Sequence, residues 1–143
     1  MYEKILVPTD GTKAGAQGEN NGIDMAAALG ASIVALHVIE EGGNPWLSQS
    51  MDDQMDEARA YAQDILNDFA ERAEAEGVEV ETEIEVGPDV YEEINEVAEE
   101  EGVDAIVMGR GYRGSMGSFL GSTAERVIRT SEVPVTVIQN PGD

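Results

Sequence analysis

The chain has no cysteine, one histidine and only two lysines, Lys4 and Lys13, in 143 residues. Without thiols there are neither disulfides nor thiolate metal sites. The single histidine, His37, stands in an apolar run with no matching acid spacing, and reads as a packed core residue, not a metal ligand or base. No lysine lies between Gly109 and Asp143, which excludes a Walker A loop there, because that loop needs a lysine on the β- and γ-phosphates. No G-x-S-x-G elbow surrounds Ser115, Ser118 or Ser122, so no activated nucleophile is offered and no catalytic residue is assigned. No apolar run approaches the roughly 20 residues needed to cross a bilayer, and "MYEKILVPTD" lacks the pattern of a signal peptide. A soluble, cytoplasmic, single-domain protein over residues 1–143 is expected, long enough for a real apolar core.

Negative charge is what the chain has in excess. Thirty acids face eight bases, a net of -22. That density repels nucleic acid and anionic lipid, so neither is expected as a partner. The apolar share is an ordinary 41%, so the acids do not belong to a disordered tail. A carboxylate-rich, lysine-poor surface suits a cytoplasm full of salt, where screening relieves self-repulsion. A halophilic source and weak folding in dilute buffer are therefore expected. The acids are also unevenly placed. All but three precede residue 105, and beyond it Glu125, Glu132 and Asp143 meet Arg110, Arg113, Arg126 and Arg129. Such asymmetry commonly marks a partner.

Apolar runs and helical patterns alternate along the chain. "KILVP" (Lys4–Pro8), "SIVALHVI" (Ser32–Ile39), "AIVMG" (Ala105–Gly109) and "VPVTVI" (Val133–Ile138) read as strands covered on both faces. "VEVETEIEV" (Val78–Val86) alternates strictly and predicts an edge strand with its acids toward solvent; Pro134 marks a second edge. Between them, Met51–Glu76 carries apolar residues at helical spacing, with Met51 and Met55 read as core or a partner-facing patch. Asp89 is placed to cap a helix that stops at Gly102, and Ser122 with Glu125 forms a capping-box pair for the last helix. The first helix, about Thr12–Leu29, holds Gly15, Gly18 and Gly22 on one face, which suggests a close approach to the sheet. Residues 40–50 read as a mobile loop with the only tryptophan.

Right-handed crossovers turn this alternation into a doubly wound, five-stranded parallel α/β sheet of order 3-2-1-4-5, Rossmann-like. Its ligand crevice opens where the winding reverses, between the first and fourth strands. The loops leaving those strands are "PTDG" (Pro8–Gly11) and a segment with five glycines between Gly109 and Gly121. Gly109, Gly111 and Gly114 fit G-x-G-x-x-G, but follow the fourth strand with no acid at the next strand's end, against a dinucleotide site. A looser nucleotide cradle remains. Gly111 and Gly121 bracket nine residues, and Gly121-Ser122-Thr123 opens the last helix, whose amide groups and dipole attract phosphate. Arg110 and Arg113 are placed to cover an anion, whereas Arg126 and Arg129 read as surface ion-pair partners. Asp10 either contacts the ligand or orders the start of the first helix.

"KILVPTDGT", "VALHVIEE" and "DAIVMGRG…GSTAERVIRTSEVPVTVI" together resemble the universal stress protein family over essentially the whole chain. The resemblance implies an adenine nucleotide alpha hydrolase-like domain that binds ATP or a related adenine nucleotide, with or without magnesium. It also implies a homodimer through the last strand, Val133–Ile138, and a sensor or regulator role, with weak ATP hydrolysis as a side activity. A nucleotide-free dimeric interaction module of the same fold is the alternative. The implied contacts are Pro8, Thr9 and Asp10 near adenine and ribose, and Val38 beside the base. Met108 and Gly109 would floor the nucleoside pocket, and Arg110, Gly111, Gly114, Gly121, Ser122 and Thr123 would surround the phosphates. Two departures touch those contacts. The spacing Gly109-x-Gly111 is one residue shorter than the family's G-x2-G-x9-G-[S/T], and Thr123-Ala124 inverts the apolar-then-hydroxyl order that usually follows.

Overall fold

The computed structural model of the chain describes residues 2–42, 44–110 and 121–138. Strand and helix alternate as β1 (Lys4–Pro8), α1 (Lys13–Leu29), β2 (Ser32–Glu40), α2 (Met51–Ala75), β3 (Val80–Gly87), α3 (Val90–Glu101), β4 (Ala105–Gly109), α4 (Ser122–Thr130) and β5 (Val135–Ile138). All five strands are parallel in the order β3-β2-β1-β4-β5. The predicted order therefore holds, and the winding reverses between β1 and β4. Two apolar layers flank the sheet. One joins Ile5, Val7, Ile33 and Ala35 to Ile23 of α1 and Leu66 and Phe69 of α2. The other joins Leu6, Leu36, Val38, Ile106 and Met108 to Ile94 of α3 and Val127 of α4.

The small faces of α1 do what their spacing suggested. A methyl group on Gly18 would stand 2.1 Å from the backbone nitrogen of Gly109, so only glycine lets the helix cross the end of β4 this closely. One turn away, the Asp10 carboxylate occupies the space beside Gly15. α3 stops at Gly102 as expected, in the left-handed conformation (φ 63) that favours glycine.

Three local expectations fail and one is narrowed. Asp89 stands at the N-cap of α3 but its side chain makes no capping bond. The capping box of the last helix does not form either: Gly121 is the N-cap, Ser122 already lies inside α4, and Glu125 instead pairs with Arg129 at 2.8 Å. Met51 is 48% exposed, which removes the core alternative and leaves that of a partner-facing patch. The acids of β3 do not all face water. Val80 and Ile84 pack toward α2, which turns Glu83 and Glu85 toward α3, where both are half-buried. Glu83 is pushed up to about 7, first by burial and then by a hydrogen bond and repulsion from Glu101.

Candidate functional site

The crevice at the winding reversal is assembled by backbone bonds. The Thr9 amide donates to the Leu36 carbonyl at 2.8 Å, which carries the direction of β1 one residue past Pro8 and sets Asp10 beside β2. His37 fixes the same point from below: its Nδ1 lies 2.8 Å from the Thr9 carbonyl, and its ring meets Tyr61 edge-on at 6.2 Å. His37 is thus a buried structural residue, as its run implied. On the other side the Arg110 amide donates to Ile138 at 2.7 Å, and the Gly121 amide donates to the Arg110 carbonyl at 3.1 Å. That second bond draws the start of α4 up to the end of β4, closing the two ends of the glycine segment on each other.

Asp10 does order the entry to α1. Its Oδ1 accepts from the Thr12 amide at 2.9 Å and the Thr12 hydroxyl at 2.8 Å. Thr12 is the N-cap of α1, and its hydroxyl accepts from the Gly15 amide at 3.1 Å. A 6%-exposed carboxylate is thereby held at the mouth of the crevice. α4, which follows β4, begins at Ser122 with Gly121 as its N-cap, so the N-cap residue offers no side-chain bond to its first turn. Amide hydrogens at such an end are donors suited to an anion, and the helix dipole favours negative charge there.

The positions singled out from sequence do not all present side chains to this space. Pro8, Thr9 and Asp10 lie at the end of β1 and are buried, and Val38 and Met108 are wholly within the layer under α3 and α4. Gly109 and Gly121 are buried, Arg110 and Thr123 half-buried and Ser122 exposed. Gly111 and Gly114, like Arg113, lie outside the described residues. The Thr9 hydroxyl is fully buried and lies beside Glu19, whose charged form it favours.

Two residues near the crevice were not anticipated. Glu19 is 4% exposed, and its carboxyl receives Arg72 Nη2 at 2.6 Å. The same guanidinium reaches Asn20 at 2.9 Å and Asp68 at 3.1 Å. Burial raises the Glu19 pKa, Arg72 and Thr9 act against that, and Asp10 adds to it. Its signal was present: Glu19 lies four residues after Gly15 and three before Gly22, on the glycine face of α1. The second is Arg126. Expected to make a surface ion pair, it instead holds its guanidinium 5.4 Å from the ring centre of Tyr91. Arg126, Ser122, Thr123, Glu40 and Asp89 line a cavity of about 280 Å³ between α3, α4 and the end of β2. A larger hollow, about 560 Å³, is lined by Lys4, Ser32 and Glu79 at the opposite ends of the strands and has no part in the crevice.

Among the described residues no group of acids or histidine is arranged to hold a metal ion, and no helix is long and apolar enough to cross a membrane. Comparison with known proteins agrees with the topology. The chain is 32% identical to universal stress protein MJ0531 of Methanocaldococcus jannaschii, over 99% of this chain and 84% of that protein. Protein MJ0577 of the same organism has a solved structure that superposes with a TM-score of 0.86 at 29% identity, covering 100% of this chain and 99% of that one. Two more distant structures share the fold and are nucleotide complexes. One universal stress protein holds cAMP (TM-score 0.73, 24% identity, 96% of this chain and 97% of the other). Another, from Archaeoglobus fulgidus, holds dAMP (TM-score 0.71, 23% identity, 96% and 98%). The family model for universal stress proteins matches residues 1–139. With the sheet order, the crevice and these matches in agreement, the chain belongs to the universal stress protein family.

Proposed function

We propose that this protein binds an adenine nucleotide, ATP or a related adenylate, in the crevice between β1 and β4 and works as a cytoplasmic sensor or regulator in a stress response. One observation carries the reading: the Gly121–Arg110 bond draws the glycine-capped start of α4 to the end of β4, the strand beside β1, whose end carries a buried, tethered aspartate. Donors and an acceptor then face one space, as a ligand with a phosphate tail and a hydroxylated ribose requires. The cAMP and dAMP complexes of other family members support it.

In this reading the Asp10 carboxylate accepts from ribose or the adenine amino group, and the backbone of Pro8, Thr9 and Val38 lines the base side. Met108 and Gly109 form the floor. Gly121, Ser122 and Thr123 give amide hydrogens to the phosphates, with Arg110 beside them; Gly111 and Gly114, which the resemblance also assigns to the phosphates, lie outside the described residues. A magnesium ion arriving with the triphosphate would find Asp10 as its carboxylate and would neutralise phosphate charge. Copies pair through the edge of β5, within Val133–Ile138, and a monomer by sedimentation in molar salt would count against that.

The test is the nucleotide that travels with the protein. Mass spectrometry of ligand released from purified protein should find an adenylate, and Gly121→Val with Ser122→Ala should remove it. Unchanged occupancy in the double variant would overturn the cradle. Turnover of ATP above background that disappears in Asp10→Ala would add a slow hydrolase activity. The shortened Gly109-x-Gly111 spacing favours one second reading, a dimeric interaction module with no nucleotide. Protein that emerges empty and stays empty in saturating ATP would establish it.

A further inference from the structure

Arg126 is a cation with no ion pair among the described residues, in a chain that has thirty acids. The neighbouring arginine of α4 behaves differently, pairing Arg129 Nη2 with Glu125 at 2.8 Å, and Arg72 on α2 is tied to Glu19 and Asp68. Among the described residues Arg126 makes no such pair. It rests over the Tyr91 ring at 5.4 Å, and the Tyr91 hydroxyl is itself anchored by donating to Glu92 Oε1 at 3.2 Å. A guanidinium placed on an aromatic face keeps its charge and its donors while its conformational freedom is reduced. Arg126 also lies four residues after Ser122, so the two share a face of α4 and line the same cavity of about 280 Å³.

The remaining charges of that cavity are acids. Glu40 and Asp89 lie on its β2 and α3 walls, with Arg126 on the α4 wall. An anion entering it is repelled from the first two and drawn to the third. We propose that Arg126 is a binding residue that reads the charge of the ligand, holding a phosphoryl group against the start of α4 from its platform on Tyr91. This rests on the adenylate reading above and adds a second arginine to the amides of the proposed cradle. Arginine suits the task because its planar fork matches two phosphate oxygens at once.

The consequence is selective. Calorimetric titration of wild type and Arg126→Ala with ATP, AMP and adenosine should show about tenfold weaker ATP and AMP binding in the variant, the loss expected for one charge-assisted hydrogen bond. Adenosine binding should not change. Tyr91→Phe should bind as wild type does, whereas Tyr91→Leu should lose part of the phosphate preference. The thermal midpoint of Arg126→Ala should stay close to wild type, because the side chain is exposed and among the described residues makes only the surface contact with Tyr91. Equal weakening of all three ligands, or of none, would overturn the assignment. If Gly121→Val with Ser122→Ala loses ATP while Arg126→Ala keeps the wild-type ATP-to-adenosine ratio, only the role of Arg126 falls. If wild type binds no adenylate, or the double variant binds it unchanged, the site itself falls and Arg126 with it.

Discussion

The β3–α3 edge and the β4–α4–β5 end of the same sheet handle charge in opposite ways. On the first, Glu83 and Glu85 face an α3 that carries Glu93, Glu96, Glu100 and Glu101, and loss of hydration first, then repulsion among neighbouring carboxylates, raises Glu83, Glu93 and Glu100. Lys4 is the nearby cation, 3.7 Å from Glu101. On the second, acids are few, and Arg126 and Arg129 lie along α4, the latter in its last turn. A surface that only has to stay hydrated accepts carboxylates until they crowd one another. A surface that receives an anion, as proposed for the start of α4, would keep them few.

The largest way to break the contrast is to deform the floor that joins its two halves. Gly18→Val would drive a branched side chain into the Gly109 backbone and should cost about 3 kcal/mol in urea denaturation, the upper range for overpacking. Next comes the buried pair beside the crevice. Arg72→Ala leaves Glu19 buried without its guanidinium and should cost about 2 kcal/mol, below the 3–5 typical of deeper pairs because Arg72 is partly exposed. Adding Glu19→Gln should recover most of that loss, and no recovery would show that Arg72 acts through Asp68 instead.

The acidic edge predicts the opposite sign. Glu83 titrates in the fold near 7, above its ordinary 4.5. Its contribution is therefore complete below about pH 4.5 and is lost as pH rises through 7. Glu83→Gln removes that loss, so the variant should be more stable than wild type at pH 8 by about 0.5 kcal/mol in dilute buffer, a figure kept small by solvent screening. The gain should shrink below pH 5 and in molar KCl. The same logic makes molar KCl raise the unfolding midpoint of wild type, and a flat response would remove the idea of a salt-adapted surface.

The architecture was legible because it depends on local pattern. Continuous apolar runs, the strictly alternating β3 and the glycine face of α1 each state what covers them. Partners distant along the chain were not legible. Alternation in β3 separates two faces but does not say that α3 covers the acidic one. Glu19 finds Arg72 53 residues away, a distance no periodicity spans. Ser122 and Arg126 failed for a shared reason: hydroxyl and guanidinium chemistry allows a cap or an ion pair, and only the neighbouring elements decide. Here Gly121 takes the cap position and Tyr91 takes the guanidinium. Of the candidate site, the strand ends and the start of α4 followed from sequence, while Glu19, Arg126 and the Gly121–Arg110 closure required the fold.

The most direct measurement is a crystal structure grown with saturating ATP and magnesium. An adenylate should lie across the ends of β1 and β4, with its phosphates at the Ser122 and Thr123 amides and its ribose within hydrogen-bond reach of Asp10. Ordered solvent alone between those segments, at full ATP saturation, would contradict the account.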